Sequence, residues 1–123
     1  MSHFTTIKTQ IKNGTILHQT LQQLNYVVET NTTVRGYQGI KTNAEYVMRR
    51  QNGYDIGFIK QGEVYEMIAD FWGVDLKQEF IQQIPQIYAQ NVVLDYARSK
   101  GYEIESQETL EDGSIQLVLG GWV

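Results

Sequence analysis

The sequence predicts an α+β fold, and three observations carry that reading. Short stretches of alternating polarity recur near the start, through the middle and at the end, separated by turn residues such as Asn52-Gly53, Gln61-Gly62 and Asp112-Gly113. One long stretch, Leu76 to Lys100, instead repeats its apolar residues every four positions. Alternation is the period of a strand and the longer repeat that of a helix. The strands gather in hairpins rather than alternating singly with helices, which favours an antiparallel sheet.

Phe4 to Ile11 alternates loosely, with Phe4, Ile7 and Ile11 among threonines and lysines, and reads as a first strand. Asn13-Gly14-Thr15 breaks it and offers capping side chains to a short helix whose Leu17, Leu21 and Leu24 share one face. Tyr26 to Glu29 returns to β character, Asn31-Thr32-Thr33 is expected to turn, and Val34 to Tyr37 begins another extended piece. Ala44 to Arg50 and Tyr54 to Lys60 flank Gln51-Asn52-Gly53, a pair of strands about an Asn-Gly turn. Gln61-Gly62 then separates the second of these from Glu63 to Ala69. Tyr54, Ile56 and Phe58 share one face, as do Tyr65, Met67 and Ala69, so the meander has one buried side.

Asp75 with Gln78 matches a capping box opening the long helix. Leu76, Phe80, Ile84, Tyr88, Val92 and Tyr96 form its stripe, which Ile81, Ile87 and Leu94 broaden. Leu76, Phe80, Ile84, Tyr88 and Val92 are the expected core. The helix should end near Gly101, with Arg98 and Lys100 in its last turn. Pro85 either kinks this helix or starts a new one. Tyr102 to Glu108 and Ser114 to Leu119 flank Glu111-Asp112-Gly113 as a last hairpin, with Ile115, Leu117 and Leu119 on its inward side. The architecture expected is an antiparallel sheet of about six or seven strands with two helices on one face, and a ferredoxin-like split βαβ topology leads.

Composition sets the outer limits. At 123 residues and 14.2 kDa, with 41% hydrophobic and 20% charged residues, residues 1–123 should form one ordinary domain. No apolar run approaches the roughly 18 residues of a membrane-spanning helix, and the opening Met1-Ser2-His3-Phe4 lacks a secretory pattern. The absence of cysteine excludes disulfides, thiolate metal sites and cysteine nucleophiles. A soluble intracellular domain is the expectation. The net charge of -4 divides unevenly: residues 1–60 carry seven Lys/Arg against three Asp/Glu, and residues 61–123 carry three against eleven. An acidic chain disfavours nucleic acid as a partner, while a bipolar surface can orient a protein partner.

No residue pattern converges on a familiar reaction. His3 and His18 have no ligand-spaced neighbours, no Gly-x-Ser-x-Gly elbow is present, and no cofactor is implied. Tyr54, Asp55 and Arg49 could form a ligand-binding or catalytic set, with Glu63 and Glu66 nearby. The plainer reading places Asp55, Glu63 and Glu66 on the solvent face. Gly36-Tyr37-Gln38-Gly39 matches the Gly-x-x-Gly loop that clamps RNA backbone, beside Arg35 and the basic half. Tyr37, Tyr46, Tyr54, Phe58 and Tyr65 near Arg49 and Arg50 could stack bases or form core. Phe71-Trp72 in a loop and Trp122 after Gly120-Gly121 are the aromatic candidates for a protein interface, beside Arg35, Arg49, Arg50, Tyr54 and Asp55.

Five segments carry a family resemblance: Met1-Ser2-His3-Phe4, Ile7 to Ile11, Val34-Arg35-Gly36-Tyr37, Asn52 to Phe58 and Glu111 to Ile115. Through them the whole chain resembles the hypothetical chloroplast open reading frame thirty-five family, small uncharacterised proteins of plastids and cyanobacteria with a domain of unknown function. Pro85 departs from the uninterrupted helix expected there. The resemblance implies cyanobacterial cytoplasm or plastid stroma as the location and carries over no catalytic residue. It hints at a ferredoxin-type or ATPase-type protein as partner. Taken with the residue patterns, it points to a non-enzymatic accessory or interaction protein. A ligand-binding or catalytic domain on Tyr54, Asp55 and Arg49, and RNA binding through Gly36 to Gly39, are the alternatives.

Overall fold

A computed structural model describes residues 4–71, 73–74, 79–112 and 114–120. The expected cap at Asp75 and Gln78, the core role of Leu76 and the anchors Trp72 and Trp122 lie outside the described residues, as do the side chains of Phe80, Ile115, Leu117 and Leu119. The elements follow in the order β1 (Thr5–Lys8), α1 (Gly14–Gln23), β2 (Val27–Arg35), β3 (Lys41–Arg49), β4 (Ile56–Gln61), β5 (Val64–Ala69), α2 (Glu79–Lys100), β6 (Glu103–Thr109) and β7 (Ile115–Gly120).

The α+β class holds, and the seven strands divide into two sheets. Among the described residues, five strands form an antiparallel sheet in the order β1-β5-β4-β3-β2, and β6 pairs only with β7. The ferredoxin-like order is not adopted. It puts one strand between the two that the first helix joins, whereas here three intervene. The cause is local: β2 to β5 form an uninterrupted meander in which each strand pairs with its sequence neighbour. β1 then takes one of the meander's two open edges, the one beside β5, with Ile7 opposite Met67, and leaves β2 as the other.

Asn13 caps α1, its side chain accepting from the Ile16 amide at 3.1 Å. Leu17 and Leu21 are fully buried against Met48, Ile56, Phe58, Tyr65, Met67 and Ala69 of the sheet and Ile81, Ile84 and Tyr88 of α2. Both helices thus cover one sheet face. Each such side chain is worth about 1.5–3 kcal/mol of burial.

A second, smaller cluster lies apart from the helices: Val34, Ala44 and Val47, with Phe4 and Ile68 against them. It explains a miss at Asn31-Thr32-Thr33, which does not turn. β2 runs through it in unbroken register with β3, Thr30 opposite Tyr46 and Thr32 opposite Ala44, with Asn31 at φ 51. The far half of the β2–β3 hairpin closes on Gly57 of β4. A Cβ at Gly57 would stand 2.4 Å from Val34 Cγ2 and 2.8 Å from the Ala44 Cβ.

α2 is continuous from Glu79 to Lys100 with Pro85 inside it, and ends at Gly101 with φ 74. Ile84 and Tyr88 are buried as expected, but Val92 is 37% and Tyr96 53% exposed. A four-residue repeat advances about 40° around a 3.6-residue helix at each step, so the stripe walks off the sheet. The helix is also about 33 Å long, against about 20 Å for a six-residue strand.

Candidate functional site

Three places gather polar or apolar side chains. The first centres on Asp55, expected on the solvent face and found fully buried. It lies beside the β2–β3 hairpin that closes over β4. Its Oδ2 accepts from the Arg35 amide at 3.0 Å, Arg35 Nε at 2.7 Å and Arg49 Nη1 at 2.7 Å. Its Oδ1 accepts from Arg35 Nη2 at 2.8 Å and the Arg50 amide at 3.1 Å. Arg35 also donates to the Arg50 carbonyl, and Arg49 to the Thr33 carbonyl and to Glu29. Burial pushes the Asp55 carboxyl up, but hydrogen bonds from Arg35, the Arg50 amide and Arg49 overcome this and hold it at about 2. Five donors occupy both oxygens, so Asp55 fits a structural tie among β2, β3 and β4 and is a poor general base.

Of the candidate residues, Arg35, Arg49 and the Arg50 backbone converge on Asp55, while Tyr54 does not hydrogen-bond it among the described contacts. Tyr54 precedes Asp55, and its ring lies against Gly73, where a Cβ would meet it at 2.2 Å. Phe71 is partly buried and packs on the main core. Phe58 and Tyr65 are buried outright and Tyr46 and Tyr54 pack partly buried against the same core, while Tyr37 is 38% exposed. The Gly36–Gly39 turn does lie between strands, but the Tyr37 amide donates to Oδ2 of buried Asp70 at 2.9 Å. A carboxylate occupies the amide that a phosphate would need. Glu29, Thr33 and Asp70 were not legible as parts of these clusters, because only strand register and closure bring them in.

The second cluster lies at the start of α1. Tyr65 Oη donates to Glu45 Oε2, and Tyr46 packs between the Tyr65 ring and His18, with centroids at 6.0 and 5.3 Å. Burial and then the Glu45 carboxylate push the Tyr65 phenol well above its ordinary range. Gly14 is required here, since a Cβ would stand 2.3 Å from Tyr65 Oη. Nearby, the Lys12 and Asn13 amides donate to Tyr88 Oη at 3.1 and 2.9 Å, tying α1 to α2.

The third place is a trench between α2 and β1. One section, of about 690 Å³, is walled by Ile7, Ile11 and Met67 on the sheet side and by Ile84, Pro85, Ala89 and Val93 on the helix. A more polar section of about 450 Å³ continues it past Tyr88 and Val92 to Asp95, Tyr96 and Lys12. Between Ile81 and Ser99 the helix rises about 27 Å, the length of some eight extended residues. β1 borders the trench as an edge strand, paired on one side only. Pro85 takes a wall position, which gives the one departure from the helix pattern a place in the surface. Among the described residues, no group of three or more His, Asp or Glu is placed to hold a metal, and no helix is long and apolar enough to cross a membrane.

An antiparallel sheet with two helices on one face, an internally satisfied carboxylate and an open apolar trench define a small α+β protein. The family model described as a protein of unknown function, DUF1257, matches residues 20–118, and the chain belongs to that family. It is 37% identical to the uncharacterized protein ycf35 of Guillardia theta and 34% identical to that of Cyanophora paradoxa, in each case over 99% of this chain and 98% of the relative. The corresponding protein of Trieres chinensis is 32% identical over 93% of both chains. No solved structure matches the chain.

Proposed function

We propose that this chain is a non-enzymatic interaction module of cyanobacterial cytoplasm or plastid stroma, and that it docks an extended segment of polypeptide in the trench between β1 and α2. The observation that carries this reading is the pairing of an open strand edge with an apolar helix wall. An incoming strand can pair with the backbone of β1 and set alternate side chains against Pro85, Ala89 and Val93. The alternative built on Tyr54, Asp55 and Arg49 is weakened by the five donors that occupy the carboxylate. The anchors Phe71, Trp72 and Trp122 remain candidates for extending the contact.

A photo-crosslinking residue at Val93, compared with one at exposed Val27 on the far edge strand, tests the reading in cells of the source organism. Crosslinks to polypeptide from position 93 and none from position 27 are the expected result. Equal yields at both positions, or none at 93, would refute it.

A further inference from the structure

A second exposed surface lies on the same chain. The β6–β7 hairpin pairs with no strand of the main sheet, and its described side chains from Glu103 to Val118 are exposed, Leu110 by 40% and Val118 by 42%. Two strands alone are marginal in water. The register sets Ser106 opposite Val118, Gln107 opposite Leu117 and Thr109 opposite Ile115, with a shift between Ile104 and Ser106. Glu103, Glu105, Glu108, Glu111 and Asp112 make it strongly acidic, and residues 101–120 hold no lysine or arginine.

We infer that the segment docked in the trench is the β6–β7 hairpin of a second copy, exchanged reciprocally so that the chain forms a closed twofold dimer. This rests on the trench being a docking site for polypeptide. Three observations point to this occupant. The charged residues lining the trench are Lys8, Lys12 and Asp95, a positive balance that complements five carboxylates. Strands of six and seven residues extend about 20–23 Å, within the roughly 27 Å of the trench. The hairpin is rooted beside the trench, with Tyr102 against Tyr96 at 6.4 Å and Tyr96 lining the polar section. A twofold axis near these tyrosines would let both hairpins cross without a linker, and reciprocal exchange leaves no open end for further growth.

Sedimentation equilibrium on the full chain, at low and at high salt, reads this directly. A dimer that weakens with salt is expected. Lys8→Glu with Lys12→Glu should loosen it about ten-fold or more through like-charge contact, and mixing that variant with Glu105→Lys/Glu108→Lys should restore a heterodimer. These four residues are exposed, and circular dichroism would confirm that the variants fold. A monomer at every concentration, or a dimer indifferent to both reversals, would overturn the inference. The position-93 crosslink separates the two failures: crosslinks from it to other polypeptides alone would leave the docking trench standing with a different occupant.

Discussion

Consider Asp55 replaced by alanine. The carboxylate is fully buried and receives five donors, from two guanidinium groups and two backbone amides. Arg35, with its side chain 42% exposed, can turn part of its charge to water, and Arg49 at 19% much less. The Arg35 and Arg50 amides are fixed by the backbone. An orphaned buried donor costs about 1–3 kcal/mol, and breaking a buried ion pair from one side costs about 3–5 kcal/mol. We therefore expect a loss of about 3–5 kcal/mol, a large share of a small domain's stability. The pH dependence gives an independent check. Asp55 titrates at about 2 when folded against an ordinary 3.8, so the unfolded chain binds its proton first as pH falls. Its contribution, about 2 kcal/mol, is complete well above pH 4 and is lost as pH drops towards 2. Urea unfolding of the wild type and of Asp55→Asn between pH 6 and pH 2 isolates that part as the difference between the two curves. An Asp55→Ala stability within about 0.5 kcal/mol of wild type, the range of an ordinary surface change, would refute the structural role. So would parallel pH curves.

Two further expectations rest on close contacts. Gly57→Ala drives a methyl group into Val34 and Ala44, and should cost about 1–3 kcal/mol as overpacking, read as a lower urea midpoint with an unchanged slope. Tyr88→Phe leaves the Lys12 and Asn13 amides without their hydroxyl acceptor. It should cost about 1–3 kcal/mol and speed hydrogen exchange at those two amides ahead of the amides of α1.

The sequence by itself determined the elements. The Asn13 cap, the Leu17 and Leu21 face, the Gly62 turn and the Gly101 stop are local features, and local sterics and hydrogen bonding suffice to impose them. The buried side of Ile56, Phe58, Tyr65 and Met67 followed in the same way from a two-residue period. What only the tertiary structure decided are the matters that depend on residues far apart in the chain. β1 takes the edge beside β5 rather than the equally open edge of β2, and β2 runs on through Asn31 instead of ending there, its Val34 closing over Gly57. Asp55, whose alternation with Tyr54 and Ile56 suggested a solvent-facing carboxylate, is buried because that closure brings Arg35 and Arg49 to it. The trench belongs with these: the four-residue stripe of α2 was legible, but its rotation away from the sheet towards Val92 and Tyr96 emerges only where a helix of 3.6 residues per turn packs on strands shorter than itself.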